Sequence, residues 1–139
     1  MPPEDQPSDL SPRASYHVGN AAADDVAGSG WFIGQFVASR LGQRHQTGVE
    51  LKWGVHARGE RRPGGQVSYG IATTISIVVR GAFRTTILLN GQRSVVTLDK
   101  EGDYIIVGPG VPHDWEALED SVILSVRFPS IDRVATKSP

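Results

Sequence analysis

The chain of 139 residues has no cysteine, which excludes disulfides, thiolate metal sites and a cysteine nucleophile and fits a reducing, cytoplasmic setting. It has little net charge: 14 Lys and Arg stand against 15 Asp and Glu, leaving −1 with the basic residues scattered along the chain. No long-range field is then available to hold nucleic acid or an acidic membrane surface, and neither is expected as a partner. No apolar run approaches the ~20 residues of a membrane helix, and the first residues do not have the basic-then-apolar form of a signal peptide. Phosphate-loop, Gly-x-Ser-x-Gly and zincin motifs are also missing, so no nucleotide cofactor is expected and serine-esterase chemistry is set aside.

What is present is punctuation. Sixteen glycines and nine prolines cut the chain into short apolar or alternating runs, and 39% hydrophobic residues suffice for one core of ordinary size. Residues 1–28, rich in Pro, Ser, Ala and Asp, read as a flexible N-terminal arm, either disordered or laid across a neighbouring subunit over a sheet edge. The ordered domain spans residues 29–130, and a polar tail fills 131–139.

Within the domain, Trp31 to Val37 is aromatic and β-branched, and Val49 to His56 alternates with period two. Further strands are expected over 71–80, 82–89, 94–98, 104–107, 113–117 and 121–128, with Asn90-Gly91 as a hairpin turn. Tyr104 to Val107 reads as a strand buried on both sides. The polar stretch Arg58 to Gly65 reads as a solvated connection or a loop at a barrel mouth. Seven or eight short strands with tight turns point to an all-β jelly roll or closed barrel.

The densest signal runs from Gly102-Asp103 through Tyr104-Ile105-Ile106-Val107 to Gly108-Pro109-Gly110-Val111-Pro112-His113: a turn, a strand, a rigid second turn and a histidine. This stretch resembles the second motif of the cupin superfamily, with Gly108 where a proline is usual. The resemblance covers about Val49 to Phe128 and implies a cupin-type jelly-roll β-barrel whose histidine, here His113, points inward. Anchored on Gly81, the family's first motif would place its metal-binding histidines near Ser68 and Gly70 and its glutamate at Thr74, so the usual ligands are absent.

His113 is the leading candidate, as an acid/base or a metal ligand near neutral pH, or as a side chain that fixes its own corner through a backbone carbonyl. On the 49–56 strand, Glu50, Lys52 and His56 share one face and Val49, Leu51, Trp53 and Val55 the other. The polar row is either a wet outer face or the lining of a cavity, with Trp53 then packed on the other sheet or on a partner subunit. If His56 and His113 converge, Glu50 or Glu60 would complete a two-His, one-carboxylate site for iron, manganese or zinc. Trp115 shares the face of His113 and either stacks on a flat or sugar-like ligand or belongs to the core. Thr74 lies on a small, partly polar strand face with Ala72, Ser76 and Arg80; Arg80 and Arg127, at strand ends, would clamp a carboxylate or phosphate, or reach water or an acid.

These residues support two readings of a ligand-holding barrel, beside a third in which the barrel is filled with side chains and serves as a structural dimer module. One is an enzyme acting on a small metabolite, with His113 and His56 as catalytic groups and Lys52, Trp115, Thr74, Arg80 and Arg127 holding the substrate. Its chemistry would be proton transfer of isomerase, epimerase or lyase type, or metal-assisted oxygenase chemistry if a divalent metal binds His56, His113, Glu50 and Glu60. The other is a non-catalytic sensor or carrier using the same pocket. In both, the protein is expected to be a homodimer.

Overall fold

A computed structural model describes residues 15–65, 67–68 and 70–130; the first half of the expected arm and all of the expected tail lie outside them. Eight strands follow in order: β1 (Trp31–Ile33), β2 (Glu50–His56), β3 (Thr73–Arg80), β4 (Phe83–Leu89), β5 (Gln92–Leu98), β6 (Tyr104–Val107), β7 (His113–Ala117) and β8 (Ser121–Phe128). They form a five-stranded sheet ordered β1-β2-β8-β3-β6 and a three-stranded sheet ordered β5-β4-β7. All pairings between named strands are antiparallel. The jelly roll expected from turn spacing is therefore present, and the Asn90-Gly91 hairpin joins β4 to β5, with both residues in the left-handed region that a tight hairpin requires. Two short 3-10 turns over Ser39–Arg44, broken at Gly42, lie outside the sequence expectations.

The two sheets close unevenly. At one end Val78, Phe83, Leu98, Ala117 and Ile123 form the buried core, with Val96, Ile105 and Trp115 packed against it. These residues come from the end of β3, the start of β4, the end of β5, the end of β7 and the start of β8, so antiparallel register stacks them in one layer. Gly81, between β3 and β4, adopts φ +98°, and a Cβ there would collide with Ser121 and the Asp120 carbonyl. Ser121 Oγ instead caps this corner, accepting from the Ala82 N–H at 3.0 Å, with its one proton in reach of the Glu119 carbonyl at 2.7 Å and the Ala82 carbonyl at 3.1 Å.

The other end is open, and there the five-stranded sheet is polar inside. Register pairs Glu50 with Arg127, Lys52 with Ser125, Thr74 with Arg127 and Ser76 with Ser125, all on the face turned toward the second sheet. The outward face carries Leu51 and Trp53 from β2, Leu124 and Val126 from β8, Ile75 and Ile77 from β3, and Tyr104 and Ile106 from β6. Of the two readings of the Glu50, Lys52, His56 row, the inward one holds: Glu50 is wholly buried and His56 nearly so.

Tyr104 and Ile106 correct one expectation, because they are 62% and 56% exposed rather than buried. β6 is an edge strand, and its run is apolar on both faces although only Ile105 and Val107 turn inward. The Arg58 to Gly65 stretch also differs from a free loop. Backbone bonds from Gly59 to Ala117, Ala117 to Glu60, Arg62 to Trp115 and, just beyond, both ways between Val67 and His113 fasten it alongside β7. Part of the expected arm is likewise held, with the Arg44 guanidinium donating to the Asp24 carbonyl and Val26 N–H to the Trp31 carbonyl.

Candidate functional site

A cavity of about 370 Å³ occupies the open end of the barrel. Its size falls at the small end of the ~300–1,000 Å³ range of ligand pockets. Thr74 and Ser76 of β3, Ser125 and Arg127 of β8, Lys52 of β2, and His113 and Trp115 of β7 line it, together with Trp31, Phe83, Val107 and the mouth residues Arg62 and Pro63.

His113 is set down by the rigid turn that precedes it. Its Nδ1 lies 2.9 Å from the Val111 carbonyl, and because a carbonyl only accepts, Nδ1 carries the proton and Nε2 is the basic nitrogen of the neutral ring. Burial pulls its pKa below the ordinary 6.5; the Val111 hydrogen bond opposes this, and the positive charges of Arg127 and Arg62 reinforce it. The imidazole is therefore neutral at pH 7, in the form that accepts a proton. One nitrogen of His113 thus fixes the corner, and the ring also lines the cavity.

The base of the cavity is an ion pair. Arg127 Nη1 donates to Glu50 Oε2 at 2.7 Å, and Ser130 Oγ donates to Glu50 Oε1 at 2.8 Å. Arg127 Nε reaches the Thr74 hydroxyl at 3.4 Å, and its guanidinium carbon sits 4.6 Å from the Trp31 ring centroid. Lys52 Nζ lies 5.8 Å from the same ring. A charged pair is held away from bulk water only when further partners compensate it, and Ser130, Thr74 and the indole face contribute to that here.

His56 does not join His113. It stands at the other end of β2 from Glu50, roughly 20 Å along the strand at ~3.3 Å per residue, beside the packed core rather than the cavity. Its ring lies 4.5 Å from that of Trp115 and 5.4 Å from that of Phe83, and those two stack at 4.9 Å. His56 lines a second hollow of about 340 Å³ that also borders Asp25, Lys52, Glu60 and Trp115. Its Nδ1 lies 3.2 Å from Glu60 Oε2 but outside hydrogen-bonding geometry. Burial depresses its pKa, against the raising effect of Glu60 and with that of the Lys52 charge.

The proposed metal-ligand set is thus dispersed: Glu50 binds Arg127, Glu60 lies by His56, and His113 faces the cavity. Among the described residues no three His, Cys, Asp or Glu side chains form a group able to hold a metal ion. Where the cupin resemblance expects a ligand glutamate stands Thr74, with the Arg127 guanidinium beside it. A fixed cation next to that position opposes a second one, so these residues do not fit a cupin metal, and no chemistry is routed through one. Arg80 also leaves the site: a β-bulge between Val78 and Arg80 breaks the alternation that would have kept it level with Thr74, and it ends exposed. Trp115 serves as wall and core together, bordering both hollows while stacked on Phe83.

Sequence reasoning missed Trp31, Arg62 and Ser130. Trp31 opens β1 and Ser130 follows β8, both far from any motif, and Arg62 sits in the connection beside β7. The partnership of Glu50 with Arg127, 77 residues apart, leaves no local trace; the signal available was the matched polar alternation of β2, β3 and β8.

No protein-family model matches the chain, and no curated protein does. Solved structures do. KdgF from Halomonas sp. is 23% identical with a TM-score of 0.52, over 65% of this chain and 76% of that one. Oxalate decarboxylase from Bacillus subtilis is 19% identical with a TM-score of 0.58, over 73% of this chain, which spans only 26% of that protein. A conserved protein of unknown function from Streptococcus pyogenes is 18% identical with a TM-score of 0.52, over 63% and 69% of the two chains. Both named neighbours are cupins, and with two antiparallel sheets enclosing a cavity at the end of the second-motif turn, this chain has the cupin fold.

Proposed function

We propose that the chain acts on a small molecule held in the open end of the barrel and moves a proton on it at His113, without a metal. The observation that carries this reading is the state of His113: a cavity-lining imidazole with Nδ1–H committed to Val111 and a pKa held below the ordinary value, hence a proton acceptor at neutral pH. Trp31 and Trp115 would flank a bound molecule, Lys52, Thr74 and Arg127 would hold its polar groups, and the Arg62–Pro63 segment would limit water at the mouth. Proton removal next to a carbonyl, as in isomerisation, epimerisation or elimination, suits one neutral base beside fixed cations that favour developing negative charge. His56, in the neighbouring hollow, acts on this site through the shared Trp115 wall rather than as a second catalytic group.

The test is solvent-deuterium incorporation into a panel of sugars, hydroxy acids and keto acids, followed by NMR with the wild-type protein and with His113→Gln. Exchange that the variant abolishes supports proton transfer. A panel member that binds in the cavity with no exchange by the wild type overturns it in favour of a carrier or sensor.

We further propose a homodimer formed through the outer face of the five-stranded sheet. The half-exposed to exposed row Trp53, Val55, Ile75, Ile77, Tyr104 and Ile106 supports it, since a contiguous apolar sheet face of this extent is costly to leave in water.

A further inference from the structure

The cavity places a cation where the cupin pattern calls for a metal ligand, and that inversion determines what the barrel accepts. Around it stand Lys52, Arg62 and Arg127, opposed by Asp114 on the lining and by the Glu50 carboxylate behind Arg127. With His113 neutral, three cations against two carboxylates leave one positive charge in a partly enclosed space. The guanidinium is also held in place by contacts to Glu50, Thr74 and the Trp31 face, which pre-position it for a ligand. The Arg62 guanidinium is tied at the mouth by bonds to the Pro63 and Gly65 carbonyls.

We infer that the barrel is an anion receptor in which Arg127, with Lys52, takes the place of the metal and binds the carboxylate of a small monocarboxylic acid. The inference rests on the proposal that the cavity holds a small molecule, and adds its chemical class. One net positive charge balances a monoanion and leaves a phosphate dianion uncompensated. A carboxylate also pairs with guanidinium and ammonium groups through charge-assisted hydrogen bonds. Seated there, the acid would place its α-carbon within the His113 end of the same cavity, which is the arrangement that proton removal next to a carboxylate needs.

The experiment compares matched pairs at equal millimolar concentration: acetate, lactate and pyruvate against acetamide, lactamide and pyruvamide, with inorganic phosphate as a separate arm. The readout is the indole N–H resonances of Trp31 and Trp115 and the ring resonances of His113. The expected result is that the carboxylates shift these signals and the amides do not. Lys52→Met should weaken carboxylate binding about tenfold, the loss of one charge-assisted contact, and leave the thermal midpoint in place. Arg127→Gln alone would strand Glu50, so the paired variant Glu50→Gln with Arg127→Gln removes both charges together; it should fold and lose the preference for carboxylate over amide. Amides that bind as well as acids would overturn the anion assignment and leave the pocket reading standing. Phosphate binding without carboxylate binding, or a paired variant that keeps its carboxylate preference, would overturn the assignment also. If no compound perturbs the three side chains, the pocket reading falls with it.

Discussion

Glu50 and Arg127 are direct register partners on β2 and β8, and their side chains meet at 2.7 Å with essentially no access to water. The pair is both the polar base of the cavity and a structural tie between the middle strands of the larger sheet.

Breaking it from one side is expected to be severe. Glu50→Gln leaves the buried guanidinium uncompensated and should cost about 3–5 kcal/mol, read as a lower urea midpoint with unchanged slope. Added carboxylate should recover part of the loss by supplying the missing charge. A variant as stable as the wild type would mean that water or anions in the cavity compensate Arg127 as well as Glu50 does.

Acid should destabilise the protein in a definite window. His56 and His113 both have folded pKa values pulled below 6.5 by burial, so the unfolded chain takes up protons first as pH falls. Their neutral-state contribution is complete above 6.5 and is lost as pH drops through that value toward the depressed folded ones. Thermal midpoints measured from neutral to mildly acid pH should fall, and His113→Gln and His56→Gln should each flatten part of that slope. Equal slopes in all three proteins would show that carboxylates, not histidines, govern the acid limb.

Metal content gives an independent check on the site. Elemental analysis of tag-free protein purified without chelator should find iron, manganese and zinc far below one per chain, and chelation should leave the thermal midpoint unchanged. Near-stoichiometric metal that His113→Ala loses would mean that the polar groups rearrange around an ion, and the guanidinium would then have to move.

The outer sheet face should bring two copies together. Sedimentation of the wild type should show a dimer, and Ile106→Glu or Val55→Glu, each changing an exposed side chain on that face, should yield a folded monomer. A monomeric wild type would refute the proposed interface.

Strand positions were legible in the sequence to within a few residues because alternation and Gly/Pro turns are local signals, as the hairpin at Asn90-Gly91 illustrates. The placement of His113 was legible for the same reason: the turn that carries it is contiguous with it. Which face of β2 turned inward was not, because Glu50, Lys52 and His56 alternate equally well with either face buried; the choice rests on Arg127 and Ser130, contributed from the far end of the chain. Nor was the separation of His56 from His113 visible. Period two assigns a face, but says nothing about which end of the barrel a residue reaches.

The reversed polarity of the larger sheet inverts the usual map of mutational tolerance. In most domains, polar replacements are harmless outside and damaging inside. Here Ser76 and Ser125, between the sheets, border a cavity and should accept changes that merely reshape it, whereas Ile75 and Leu124, on the outer face proposed to join two copies, should resist polar substitution. Selection for new ligands can thus act on these two interior positions with little disturbance to folding, while the proposed contact face carries a constraint that surface positions usually escape.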